Sequence, residues 1–235
     1  MWGGPIIGYE YHFWRHQFYD LSGLHLPKLL NTDVKVYESN SIDGIISCGS
    51  QRSFFPMGLA FYSFARSMYD TSLSYEEIEE DYFTHAFGEK AEKIKDYLLS
   101  VAEAIPFEDI YRMEQDALPP VSNDEARAAR ASKIREITKG NRELLRSAVD
   151  PDFRVRTVSG ELLLHHADLL DMISDWYSLN LRGEYERGEE LHRYMTEEFG
   201  KREALLDRYF EHFLCLREYG HKQRQFNAVK STQEI

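Results

Sequence analysis

The hydrophobic pattern of this 235-residue chain changes its period near residue 70. Before that point polar and aromatic residues alternate through Gly8-Tyr9-Glu10-Tyr11-His12-Phe13-Trp14-Arg15-His16, which is the two-residue period of a strand. Glu10, His12, Trp14 and His16 are expected on one face, Tyr9, Tyr11 and Phe13 on the other; the first face looks chemical and the second packed. The strand is expected over residues 5–14, after Gly3-Gly4-Pro5. A connection through Asp20, Gly23 and Pro27 leads to a helix near Thr32–Glu38, with Thr32 as N-cap and Asp33 in its first turn. Ile42 to Ser47 reads as a second short strand, closed by Cys48-Gly49-Ser50. Phe54 to Tyr69 then reads as an apolar helix, buried along Met57, Phe61, Phe64 and Met68. Strand, helix, strand, helix is a βαβα segment whose natural pairing is parallel.

After Asp70 the period is helical. Ser74-Tyr75-Glu76-Glu77 is a capping box that opens a helix through Ile78, Tyr82 and Phe83, and Gly88 interrupts it before Ala91 to Ala104 resumes the pattern. Pro106 ends that helix. Pro119-Pro120 marks a boundary, since consecutive prolines neither continue a helix nor donate to a sheet. A second capping box, Ser122-Asn123-Asp124-Glu125, opens a charged helix to about Val149. Helices over Phe153–Leu181 and Glu184–Phe199 follow, and a last one carries Leu205, Leu206, Tyr209, Phe210, Phe213, Leu214 and Leu216, with a frayed polar end from Lys222. Neighbours joined by short turns read as a helical bundle.

Composition narrows the functions. Forty acidic against 28 basic residues give a formal charge of -12 with no Lys/Arg cluster, so nucleic acid and anionic membranes are excluded as partners. Cys48 and Cys215 are too far apart for a disulfide framework or a zinc spacing, and both are expected as buried thiols. No signal-peptide pattern occurs and no stretch approaches the ~18 apolar residues of a membrane span, so the chain reads as soluble with its localisation open. A strand so close to the first residue has no neighbour before it. An isolated parallel pair leaves both edges bare, and a missing N-terminal barrel segment, a partner or a homo-oligomer is expected to complete it.

The candidate chemistry sits at the strands. In parallel α/β folds ligands bind beyond the carboxyl ends of strands, where Glu10, His12 and Trp14 would offer a carboxylate and a stacking platform. Glycoside hydrolysis uses paired carboxylates, so Glu10 is a candidate catalytic group, with Asp20 the nearest acidic residue on that side. The alternative is a satisfied polar layer of a barrel. At the end of the second strand Gly49 permits close backbone approach, Gln51 can bond hydroxyls and Arg52 can pair a carboxylate such as that of a uronic acid; the alternative there is an ordinary loop. Glu161, His165 and Asp168 share a helical face at metal-ligand spacing, but a solvated face accounts for them and no metal site is assigned. The stripe Trp176, Tyr177, Tyr209, Phe210 and Phe213 reads as core. No cofactor motif is present.

The run Tyr9-Glu10-Tyr11 with Trp14, then Ser41-Ile42-Asp43-Gly44-Ile45, then Leu59, Tyr62 and Ala65 followed by Asp70, Tyr75 to Ile78, Tyr82, Phe87-Gly88 and Ile94 to Tyr97, resembles the closing portion of a bacterial domain-of-unknown-function family. Its barrels are similar to alpha-glucuronidases and related glycoside hydrolases. The resemblance covers about residues 5–105 and extends beyond them only in helical character. It implies a mainly α chain: two closing βα units of a parallel, TIM-like α/β barrel at 1–70, a helical extension on the barrel end at 71–118, and a C-terminal helical bundle at 119–235. It also implies a carbohydrate partner, uronic-acid-containing or otherwise. Glu10 would be catalytic, and His12, Trp14, Gln51 and Arg52 would hold the sugar, without a cofactor. With the preceding strands absent, the chain alone is expected not to hydrolyse anything. The rival expectation is a non-catalytic helical module that binds a protein partner.

Overall fold

The computed structural model describes residues 4–49, 52, 54–111 and 124–233, with side chains as far as 228. It is mainly helical, with one small sheet. Strands β1 (Ile7–Phe13) and β2 (Gly44–Gly49) pair in parallel and are joined by helix α1 (His25–Ser39). No third strand accompanies them among the described residues, so a closed barrel is not seen.

The register runs from Ile7 opposite Gly44 to Glu10 opposite Ser47, then slips so that Phe13 faces Gly49. Three steps on β1 match two on β2, a bulge that breaks the alternation and buries His12 and Phe13 in succession. A Cβ on Gly49 would lie 2.6 Å from the Phe13 carbonyl carbon, so the close approach that Gly49 permits is to its partner strand.

The two faces of β1 are reversed from the expectation. α1 and helix α2 (Leu59–Tyr69) cover the side that carries Glu10 and His12, whose ring centroid is 5.2 Å from that of Phe64. Ile7, Tyr9, Tyr11 and Ile46 point away from both helices and are 55, 56, 54 and 55% exposed. Polar alternation marked the face that α1 satisfies with its own polar groups, Asp33 and Tyr37, rather than a face left to solvent.

α1 starts at His25, well before Thr32, because the Asp20 carboxylate caps it. Oδ2 accepts the backbone N–H groups of His25 and Leu26 at 2.9 and 2.7 Å, and Oδ1 accepts Gly23 N–H at 3.0 Å. Pro27 sits in the first turn, where its missing N–H has no intrahelical role. Thr32 lies mid-helix, its hydroxyl donating to the Lys28 carbonyl at 3.1 Å. α2 starts at Leu59 and buries Leu59, Ala60, Ser63 and Ser67, while Phe61 and Met68 of the expected stripe are exposed. Small residues win that face because α2 packs closely on α1: Ser63 Oγ donates to the Pro27 carbonyl at 2.8 Å and Asn31 Nδ2 to Ser67 Oγ at 2.9 Å.

Helix α3 (Tyr75–Phe87) carries the reciprocal Ser74–Glu77 capping box and ends at Gly88, whose φ of 56° is left-handed. α4 (Ala91–Ala104) and α5 (Phe107–Tyr111) follow. The Pro119-Pro120 boundary and the Ser122 cap lie outside the described residues. α6 (Glu125–Ser132) is capped by Asp124, which accepts Arg127 N–H at 3.0 Å, and the helix expected to continue to Val149 breaks at Lys133 before α7 (Ile134–Ala148).

The centre of the molecule is α8 (Arg154–Leu181), against which α3, α6, α7 and α9 (Tyr185–Gly200) all pack. A short α10 (Glu203–Leu206) precedes α11 (His212–Gln233), which lies on α9. One apolar cluster runs without interruption from Phe18 to Phe226. The end expected to fray is core: Lys222, Gln223 and Phe226 are buried. Gln223 Oε1 accepts Trp176 Nε1–H at 2.7 Å and Asn180 Nδ2–H at 3.0 Å, while its own Nε2 donates to Asn180 Oδ1 at 3.0 Å. A polar residue type here serves buried polar partners. Phe213, expected as core, is instead 66% exposed. No described helix is long and apolar enough to cross a membrane.

Candidate functional site

Both strands run toward α11, and their carboxyl ends are where a parallel α/β arrangement places a ligand. β1 leads into Trp14 and Arg15 and then a single 3-10 turn, His16–Tyr19. The Arg217 guanidinium lies 5.9 Å from the centroid of the half-buried Trp14 ring. Glu218, one residue on, is 1% exposed. Arg15 Nε and His221 Nδ1 stand 3.7 and 3.8 Å from its Oε2, Arg217 Nη2 stands 3.6 Å from Oε1, and Tyr19 Oη donates to Oε2 at 3.4 Å. Oε1 has no hydrogen bond. A buried carboxylate is thus ringed by basic groups at ion-pair distances of 3.6 to 3.8 Å. Burial lowers the His221 pKa in spite of Glu218, so the ring carries its positive charge on the arginines at neutral pH.

The end of β2 is strapped to the bundle. Arg52 Nε donates to Glu211 Oε2 at 2.9 Å, with a second, shorter contact from Nη2, and Nη1 reaches Glu203 Oε1 at 3.4 Å and the Asp207 carbonyl at 3.2 Å. Its guanidinium is held by bundle carboxylates of the kind a uronic acid would otherwise provide.

A second polar group lies between β1 and α1. His12 Nε2 is 3.0 Å from Tyr37 Oη and 3.8 Å from Asp33 Oδ2, and its buried Nδ1 has no partner. Burial first, then the Asp33 and Glu10 charges, push the Tyr37 hydroxyl up to about 12. Burial lowers the His12 pKa, and burial raises Asp33, with His12 opposing and Glu10 adding to the rise. His12 and Tyr37 thus join the strand to α1 by a hydrogen bond, with Glu10 and Asp33 as the charges beside them.

The five residues read from the sequence do not meet in one place. Trp14 and Arg52 are at the strand ends as expected. Glu10 and His12 are turned to α1, because the helices cover that face, and Gln51 lies outside the described residues. Asp20 is not a partner carboxylate for Glu10, since both its oxygens cap α1. Of the helical triplet, Glu161 is exposed, His165 Nε2 meets His212 Nε2 at 2.7 Å, and Asp168 bonds Arg142 and Arg202 at 2.6 and 2.7 Å. No group among the described residues has the makings of a metal site. Cys215 is buried as expected, whereas Cys48 is half-exposed on the tyrosine face.

Glu218 and Arg217 were not singled out from the sequence. The signal was available: Glu218 continues the apolar line Leu214, Cys215, Tyr219 and Phe226 of α11, and a carboxylate on a buried stripe asks for partners.

No known protein family, no curated protein and no solved structure matches this chain.

Proposed function

We propose that the chain is the closing part of a carbohydrate-active parallel α/β assembly of glycoside-hydrolase type, not catalytic alone, whose strand ends hold an acidic sugar. The observation that carries this reading is the placement of Trp14, Arg15 and Arg217 at the carboxyl end of a parallel strand whose opposite face is bare. Trp14 supplies the flat apolar surface on which a sugar ring stacks. Arg15 and Arg217, both about two-fifths exposed, supply the charge for its carboxylate, and Glu218 beneath them fixes their positions. The edges of the two-stranded sheet would accept the remaining strands of such an assembly, and its tyrosine face would then be covered by their side chains, since a parallel sheet is ordinarily covered on both faces. Glu10 and His12 support the sheet in this reading and take no part in bond cleavage.

The test is thermal unfolding with millimolar glucuronate and galacturonate set against glucose and xylose, together with size measurement by light scattering. Stabilisation by the acidic sugars alone, lost in Trp14→Ala, supports the reading. No response to any sugar, with a stable oligomer in solution, supports the interaction module instead.

A further inference from the structure

A separate cleft of about 530 Å³ runs along the groove between α8 and α9, lined by none of the strand-end residues named above. Its volume is in the range of small-ligand sites. α8 lines it with Asp175, Ser178 and Arg182, and α9 with Arg187, Glu190 and Tyr194, each set spaced by three or four residues so that one edge of each helix faces the groove.

We propose that this cleft binds a neutral oligosaccharide. Charge selects the ligand first. Two arginines face two carboxylates, so the groove has no net charge to attract a phosphate or a polyanion, and the chain as a whole carries -12. Preorganisation comes second. Arg182 is clamped by Glu125 through two bonds of 2.9 Å, and Asp175 holds Arg135 through both of its oxygens, so both planar groups are fixed from outside the groove and turn only their remaining N–H groups and lone pairs toward a ligand. Paired planar acceptors and donors of this kind suit vicinal hydroxyls. The third point is Tyr194, 52% exposed, whose ring offers a stacking surface with Glu190 beside it in the groove wall. A lipid or a purely apolar ligand does not match walls with this share of charged groups.

The experiment is titration of the full chain with cellotetraose, xylotetraose and mannotetraose at millimolar concentration, by calorimetry and by saturation-transfer NMR. At least one tetrasaccharide is expected to bind, and Tyr194→Ala to weaken it about tenfold, the loss of roughly one stacking contact. Tyr194 is on the surface, so this variant folds; Glu190→Gln tests the polar side of the groove and is expected to weaken the same ligand. Trp14→Ala leaves this binding unchanged. Absence of binding by all three sugars overturns the proposal, as does an affinity that falls in Trp14→Ala and survives in Tyr194→Ala. The strand-end reading rests on acidic sugars and Trp14, so either can fail without the other.

Discussion

Two histidine rings, His166 and His212, are buried and a third, His165, is half-buried near the Phe54–Pro56 segment, and all three are expected to weaken the fold in acid. His166 is 2% exposed, with its ring edge-on to Phe55 at 5.2 Å and no hydrogen bond at either nitrogen. Burial, then the neighbouring His165, lowers its pKa to about 3. His165 and His212 share one hydrogen bond between their Nε2 atoms, so one imidazole donates and the other must stay unprotonated. Burial first, then like charge from His212 and Arg202, lowers His165 to about 3; burial, then Arg52 and Arg202, lowers His212 to about 4. Unfolded, each takes a proton near the ordinary histidine value of ~6.5. The folded pKa lies below the unfolded one, so between those values the unfolded chain binds protons that the native chain refuses, and stability falls as the pH falls.

At pH 5 the unfolded state lies about 1.5 pH units below its histidine pKa, which costs the native state roughly 2 kcal/mol per buried ring. His166 alone accounts for about 2 kcal/mol of the 5–15 kcal/mol of a typical domain, and the hydrogen-bonded His165–His212 pair adds to the loss in the same direction. Urea unfolding at pH 7 and pH 5 measures this loss directly. His166→Met removes one titrating ring while filling its space with an adaptable side chain. Whatever its stability at pH 7, its loss between the two pH values is expected to be about 2 kcal/mol smaller than that of the parent chain. Equal losses in both proteins would refute the assignment of acid sensitivity to these rings.

Other consequences are simpler to state. Ser74→Ala removes a reciprocal cap from α3 and is expected to cost about 1 kcal/mol in chemical unfolding. Gln223→Leu leaves Trp176 Nε1–H and one side of Asn180 without buried partners, a loss of about 2 to 4 kcal/mol in the same assay, larger than any cavity-free exchange of apolar side chains. Tyr9→Ser with Tyr11→Ser changes the stability of the isolated chain by no more than about 0.5 kcal/mol, because both rings are more than half exposed; a larger change would show that the face is covered in solution.

What was legible in the sequence was what local chemistry decides. The strand–helix–strand–helix order, the Ser74–Glu77 cap and the stop at Gly88 follow from residues within one turn of each other. What misled was tertiary. Asp20 caps α1 through N–H groups up to six residues away, which moved the helix start seven residues toward the N-terminus of the expected helix. The face of β1 was misread because α1 carries the polar groups that make Glu10 and His12 an inward pair. At the site, Trp14 and Arg52 could be placed from strand ends alone. Glu218 and Arg217 lie more than 200 residues beyond Trp14, and no local pattern says that α11 returns to β1.

That return also decides how firmly the strand-end surface is held. The sheet itself rests on a small satellite cluster of Phe13, Leu26, Leu30 and Ala60, apart from the main core. Immediately after Phe13 the chain joins the main core: Phe18 and Tyr19 are buried in it, and Tyr219 Oη donates to the Phe18 carbonyl at 2.7 Å. Regions with few buried apolar contacts open first, so β1 and β2 are expected to exchange their amide protons through local opening, well below the stability of the whole. Residues 16–19 and the middle of α11 exchange only near global unfolding. Hydrogen exchange by NMR separates the two sets: slower exchange at Tyr9 or Ile46 than at Tyr19 or Tyr219 would show that the sheet anchors the site. In the opposite order the bundle holds Trp14 and Arg15 in place, and a thin sheet does not weaken the strand-end surface.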